Sequence, residues 1–316
     1  GVCQLVFQLP YLARLRLLPL PKLQPKHEGV QRVMKLMIPA LFGVSVSQIN
    51  LLLDAFIASL LVSGSVSWLY FSDRLMELPL GIFGIAIATV VLPSLSRKHA
   101  AKSTLEFSAM LDWAFRMVLL IAVPASLALV LLSEPLIITL FQGQNFSVED
   151  VGKVTSSLQA YTLGLLAFMA IKIFAPGYYS RQDTSTPVRI GIIAMVANMV
   201  MNILFVFVFD FAHTGLALAT SLAAMLNAFL LMRGLMVQGV FKFQAGWGLF
   251  LTRLIIANVL MCTFLYLFAG DWERWLEWGT WKRIIEMSIL CFGGFLLYGC
   301  GLFVTGMRLQ HFRGQE

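Results

Sequence analysis

Residues 70–84 read YFSDRLMELPLGIFG. Asp73, Arg74 and Glu77 fall within five residues, flanked by the apolar stretches 66–70 and 78–92. On insertion scales an ionisable side chain at bilayer depth costs about 2.5–3.5 kcal/mol. Three such groups facing lipid would be heavily penalised. On a helix, Arg74 and Glu77 are i,i+3 and Asp73 and Glu77 are i,i+4. All three therefore share one side, where they pair with each other or face a water-filled cavity. Arg74 lies about eight residues, roughly 12 Å, past the outer end of a span opening at Val66, too deep for easy snorkelling. Pro79 removes a backbone donor and predicts a loosened or kinked helix. Gly81 and Gly84 permit close helix approach.

Composition supports the membrane setting. The chain has 316 residues, 59% of them hydrophobic and only 12% charged, whereas soluble domains carry about 25% charged residues. Apolar runs recur at lengths that read as spans. We count about eight, at 33–62, 66–93, 113–141, 151–179, 187–209, 213–236, 247–269 and 283–306. The more polar stretch 98–112, KHAAKSTLEFSAMLD, is expected to lie along the membrane surface. The formal charge of +7 reads as Lys and Arg in cytoplasmic loops and not as a nucleic-acid surface. Cys3, Cys262, Cys291 and Cys300 lie in apolar stretches without a CxxC pair, and read as lipid-facing or packing residues.

Loop charges set an orientation. Basic loops (Arg14 to Arg32, Arg97 to Lys102, Arg181 and Arg189, Arg233 to Arg253, and the C-terminus with Arg308 and Arg313) alternate with loops lacking Lys and Arg (62–66, QGQNFSVED and DFAHTG). By the positive-inside rule the basic loops and the C-terminus are cytoplasmic. The one mixed loop, GDWERWLEWGTWKR, falls outside; Trp272, Trp275, Trp278 and Trp281 suit an interfacial belt. The chain begins with Gly, and its opening apolar run followed by basic residues is neither a signal peptide nor a transit peptide. It is expected to be the C-terminal portion of a longer protein.

Two readings of the charged stretch stand. One is a salt bridge that fixes packing. The other is a polar cavity where Arg74 meets an anionic ligand, its planar fork donating two parallel hydrogen bonds to phosphate while Asp73 and Glu77 orient it. A second polar set contains Asp54 in the first span, with Gln48 and Asn50 nearby, Asn198 and Asn202 at i,i+4 in the fifth, and Thr220 in the sixth, where Asn227 also lies. A carboxylate, two amides and a hydroxyl suit a hard monovalent cation or a proton relay; interhelical hydrogen bonding is the plainer alternative. Lys172, in the fourth span, either snorkels or lines the cavity. Pro176 and Gly177 after it are expected to break that helix, and Pro187 sits near the first turn of the next. Enzyme signatures are missing: there is no GxSxG, HExxH or Asp-rich metal motif, and His27, His99, His213 and His311 read as loop residues.

Three segments, PALFGVSVSQINLLLD, SDRLMELPLGIFGIAIATVVLPSLSR and APGYYSRQDTSTPV, closely resemble the MurJ (MviN) family of bacterial lipid II flippases, in order across nearly the whole chain. The resemblance implies an all-α polytopic membrane protein of the multidrug/oligosaccharidyl-lipid/polysaccharide exporter (MOP) superfamily. In that family fourteen helices form two six-helix lobes and two extra C-terminal helices. This chain would hold the end of helix 6 and a linker (1–32), the second six-helix lobe (33–238) and the two extra helices forming a lipid-tail groove (239–316). The implied partner is lipid II, undecaprenyl-pyrophosphate-linked disaccharide-pentapeptide, flipped from the cytoplasmic to the periplasmic leaflet of the inner membrane. Arg74 matches a cavity arginine, with Asp73 and Glu77 beside it. Asp54, Asn198, Asn202 and Thr220 fall on the helices that hold a cation site in some relatives, consistent with Na+ or H+ coupling and no other cofactor. The first lobe, which supplies further cavity arginines, is absent from this sequence, so the chain alone is not expected to transport. A drug or polyprenyl-sugar exporter of the same superfamily, a membrane enzyme on lipid-linked precursors and a non-transporting scaffold are the competing readings.

Overall fold

The computed structural model describes residues 2–15, 28–143 and 146–307. The chain divides into two compact units, Gly1–Pro39 and Ala40–Glu316. The first unit contains α1 (Val2–Arg14) and the opening turns of α2 (Glu28–Ser59), within which the division falls. Arg14 closes α1 in its last turn, where a cation complements the helix dipole. Most of the basic linker expected before the first span lies outside the described residues.

The second unit continues with α3 (Ser65–Pro79), a π-helical turn (Leu80–Gly84), α4 (Ile85–Ala100), α5 (Thr104–Leu131), α6 (Ser133–Phe141), α7 (Val148–Tyr179) and α8 (Ser185–Ile203). A second π-helical turn (Leu204–Val208) leads to α9 (Ala212–Val237), α10 (Trp247–Ala269), α11 (Trp272–Glu277) and α12 (Thr280–Val304). Among the described residues, six helices are long and apolar enough to cross a membrane: α5, α7, α8 with its π turn, α9, α10 and α12. The expected span 66–93 is a bent pair, 65–84 and 89–100, meeting at 42°; Pro79, lacking an amide to bond the Leu75 carbonyl, opens the π turn there. The expected span 33–62 falls on α2, of which Gln48–Ser59 is a shorter apolar stretch.

α7 is the spine, packing on α9, α5, α3, α4 and α6. Its N-terminus is fixed by a capping box, Ser147 Oγ accepting from Asp150 N while Asp150 Oδ2 accepts from Ser147 N. Small residues bring α7 and α9 close: a Cβ on Gly164 would lie 2.8 Å from Ser221 Cα, and Ser221 Oγ donates to Ala160 O at 2.7 Å. Such contact drives association where lipid removes the hydrophobic effect. α3 and α9 run parallel to α7, as Trp68–Asp150, Ser72–Val154, His213–Lys153 and Tyr178–Leu231 contacts establish. α10 and α12 form a pair that reaches the body through α5, where Tyr298 Oη donates to Leu120 O at 2.7 Å.

Four local expectations are corrected. The stretch 98–112 is no separate surface helix: α4 runs to Ala100, and α5 starts at Thr104 with Phe107, Met110 and Leu111 already buried. The span 113–141 breaks after Leu131, because Pro135 cannot donate to that carbonyl and clashes with it. α7 does not break at Pro176 but continues to Tyr179. His99 and His213 are helical, in the last turn of α4 and the first turn of α9; His27 and His311 lie outside the described residues. The four tryptophans of the mixed loop also differ in kind. Trp281 is 80% exposed, whereas Trp275 is 1% exposed and donates to Ala269 O at 2.8 Å.

Candidate functional site

α3 buries Trp68, Leu69, Ser72, Leu75 and Met76 against the body. With that face committed, Tyr70, Arg74, Glu77 and Leu78 are left exposed on the other. Arg74 Nη1 donates to Glu77 Oε2 at 2.7 Å, and the two side chains remain 56% and 47% exposed. The guanidinium lies 5.0 Å from the Tyr70 ring centroid, a cation–π contact that steadies it. Asp73 is half-buried at the edge of this face. The predicted trio is therefore together on one exposed strip. One guanidinium edge is held by Glu77 and the rest is open to an oxyanion.

Lys172 is not part of that strip. It is exposed on α7, and the register of Ser72 with Val154 puts Arg74 level with residue 156. Lys172 then lies about 24 Å further along the axis.

The second polar set does converge. Asp54, on α2, accepts from Asn202 Nδ2 (2.6 Å, Oδ1) and from Asn50 Nδ2 (3.2 Å, Oδ2). Asn202 Nδ2 also reaches Asn198 Oδ1 at 3.0 Å, and Asn198 Nδ2 reaches Thr220 Oγ1 at 3.3 Å. Thr220 Oγ1 is 3.4 Å from Asp54 Oδ2 and 3.0 Å from Leu216 O; its one proton serves one of them at a time. Turning the Asn198 amide by 180° brings its nitrogen within 3.0 Å of Asn50 Oδ1 and 3.3 Å of Asp54 Oδ1. Asn198 and Asn202 are 1% and 0% exposed, and Asn202 Oδ1 is buried without a hydrogen-bond partner among the described residues. One carboxylate, three amides and a hydroxyl gathered from α2, α8 and α9 supply oxygens suited to a hard cation of low charge. Asn50, noted in the sequence only as a neighbour, is a full member, one turn from Asp54 on α2.

Sequence reasoning missed two networks at the helix ends. In the first, Trp68 Nε1 donates to Asp150 Oδ1 at 2.7 Å, Trp68 packs on His213 (4.9 Å between ring centroids), and His213 Nε2 is 3.1 Å from Lys153 O. In the second, buried Asp112 accepts from Arg116 Nε (2.8 Å), Trp247 Nε1 (2.7 Å) and the Gln244 amide (3.2 Å). The i,i+4 spacing of Asp112 and Arg116 was the available signal for the second. For the first, partners 82 residues apart leave none.

The family model of the lipid II flippase MurJ matches residues 1–285. The chain belongs to the MurJ family. It is 49% identical over 310 residues to a probable lipid II flippase MurJ of Vibrio cholerae, covering 98% of this chain and 59% of that protein. It is 45% identical over 317 residues to the Haemophilus influenzae counterpart, covering 98% and 62%. The Burkholderia cenocepacia lipid II flippase MurJ is 37% identical, with 99% and 61% covered. The chain thus spans about three-fifths of the length of these MurJ relatives. Among solved structures, a lipid II flippase MurJ in an inward closed conformation superposes with a TM-score of 0.70 at 24% identity, over 88% of this chain and 56% of that one. An outward-facing MATE transporter of the MOP superfamily gives 0.58 at 16% identity, over 87% and 64%. The all-helical fold is accordingly that of MurJ and the wider MOP transporters.

Proposed function

We propose that this chain forms the second lobe and C-terminal helices of a lipid II flippase, working with a first lobe by alternating access in the bacterial inner membrane. Residues 33–238 would be the lobe, counting α2, the bent α3–α4 pair, α5 with α6, α7, α8 and α9 as six crossings. Residues 239–316 would hold the tail groove, with the C-terminus cytoplasmic. The protein moves its substrate and does not transform it.

The exposed Arg74–Glu77 pair carries this reading. An ion pair worth keeping only for packing would be buried against a neighbour, whereas this one projects from the face of α3 that the body leaves open. The pyrophosphate of lipid II would take the open edge of Arg74 and compete with Glu77 for the other, neutralising the cavity so that two basic lobes can close. The Asp54 cluster would bind Na+ or H+ and reset the cycle; the membrane potential supplies about 2.3 kcal/mol per charge per 100 mV. Lys172, distant from Arg74, would meet substrate at a different depth or stage.

The test joins this chain to the first lobe of the Vibrio cholerae relative and expresses it in cells depleted of their own lipid II flippase. Rescue by the parent and loss of rescue by a well-expressed Arg74→Ala variant is the expected result. Equal rescue by both would return Arg74 to a packing role.

A further inference from the structure

Tyr161 lies in the middle of α7 and is 9% exposed. Its backbone carbonyl accepts from Ser221, but its hydroxyl makes no hydrogen bond among the described residues. A buried tyrosine hydroxyl ordinarily finds a partner. Asp73 is in the same position: half-buried, with no ion pair or hydrogen bond among the described residues. The two groups share one seam. Ser72 Oγ donates to Val154 O at 2.9 Å, so the Val154 face of α7 looks at α3. Tyr161 lies two turns further along that face, and helical side chains lean back toward the N-terminus. Its ring therefore rises toward Asp73, the residue after Ser72. On the other flank, Ser221 Oγ is 3.2 Å from Tyr161 O, and the preceding residue, Thr220, is 3.4 Å from Asp54 Oδ2. Tyr161 thus stands where α3 and α9 both meet α7, with a carboxylate that lacks a paired cation on either side. The charges that act on its hydroxyl are those of Asp73 first and Asp54 second. Other charged groups nearby are committed: Arg74 to Glu77, and Asp150 to Trp68 and Ser147.

We infer that Tyr161 is a positioning residue that couples the Asp54 cluster to the Arg74 strip. The inference rests on the flippase reading above. A hydroxyl has one proton to donate, so it serves one carboxylate at a time. Turned to Asp54, it leaves the charge of Asp73 uncompensated beside Arg74, where it opposes an incoming anion. A cation that satisfies Asp54 releases the hydroxyl to Asp73, and the anion is then bound more tightly at Arg74. By linkage the anion favours the cation equally.

The test measures denaturant unfolding of the purified chain in neutral detergent for Asp54→Asn, Asp73→Asn and the double variant. Each is made with Tyr161 and with Tyr161→Phe, which keeps the ring. With the hydroxyl present, the unfolding constant of the double variant should depart about five-fold or more from the product of the single effects. With Tyr161→Phe the departure should fall within about two-fold. Tyr298→Phe removes a different buried hydroxyl, one bonded to Leu120 O, and should leave the departure as in the parent. Independent effects with the hydroxyl present, or the same departure without it, would overturn the proposal. Pyrophosphate binding is a second readout, which a packing role would not move. The parent should bind it about five-fold more tightly in sodium than in choline, and Tyr161→Phe should bind it equally in both. Binding by the parent that ignores sodium, or a sodium effect that survives in Tyr161→Phe, would also overturn it. Pyrophosphate binding unaffected by Arg74→Ala would count against the flippase reading, while the unfolding cycle, which needs no ligand, would still decide the role of Tyr161.

Discussion

Asn202 Nδ2 donates to Asp54 Oδ1 at 2.6 Å, joining residues 148 positions apart through the most buried amide of the cluster. The bond ties α2 to α8 and aligns the carboxylate with the oxygens of Asn198 and Thr220. Asp54→Ala should cost about 1–3 kcal/mol, because Asn202 is left with an unmet buried donor. Asp54→Asn keeps a hydrogen-bonding shape and should cost less. If the cluster binds Na+, the parent melts higher in Na+ than in choline and both variants lose that difference; a parent indifferent to Na+ would leave only proton coupling or a structural role.

Arg74 is exposed, and its one ion pair spans a single helical turn, so its removal should hardly matter to folding. Arg74→Ala is expected to melt with the parent while failing in rescue. Arg74→Lys keeps the charge without the planar fork and should rescue weakly. A variant that fails in rescue but also melts early would point to packing instead.

Gly164 marks a close backbone approach of α7 and α9. Gly164→Ala would place a Cβ 2.8 Å from Ser221 Cα and Oγ, and neither backbone has slack there. A loss of about 1–3 kcal/mol is expected, read as a lower midpoint in thermal unfolding. Gly152→Ala, with open space at its Cβ, should show no loss.

Asp112 collects three donors while 3% exposed. Asp112→Ala should cost about 2–3 kcal/mol and free the 242–247 segment from α5, measurable as faster hydrogen exchange in that segment. Unchanged exchange would mean that the other ties of this segment to α5, the Ser108–Lys242 bonds, Arg116 to the Gln244 and Ala245 carbonyls and the contacts of Phe115 with Phe243 and Trp247, suffice to hold it.

The sequence was most readable where a physical penalty had to be met locally. Charges 73, 74 and 77 at helical spacing could only share one side, and Asn198 with Asn202 could only share one face; both groupings are present. What joins them to other helices was less readable. Asp54, Asn202 and Thr220 group by chemistry as polar residues inside apolar spans, and the family likeness adds which helices meet, since spacing within one helix says nothing about depth in another. The same blindness leaves Lys172 a candidate for the cavity of Arg74: each is a cation inside a span, and only the parallel register of α3 and α7 separates them. At Pro135 the break does carry a local signal, since Ser133 and Glu134 interrupt the apolar run just before the lost backbone donor, but the long apolar flanks on both sides read as one span.

The π turn at 80–84 also sets rotational phase. In an unbroken α-helix, Val91 would lie about 160° around the axis from Leu75, yet both are buried. One extra residue in the turn takes back about 100°, leaving the two within about 60°. The inserted residue is thus the kind that can be taken out without turning either half away from the core. Deleting one residue from 80–84 would straighten the segment and keep both contact stripes in phase, whereas adding one would rotate the second half out of contact. The extra residue serves bending more than packing: it lets the segment bearing Arg74 turn through 42° while its two flanks stay seated.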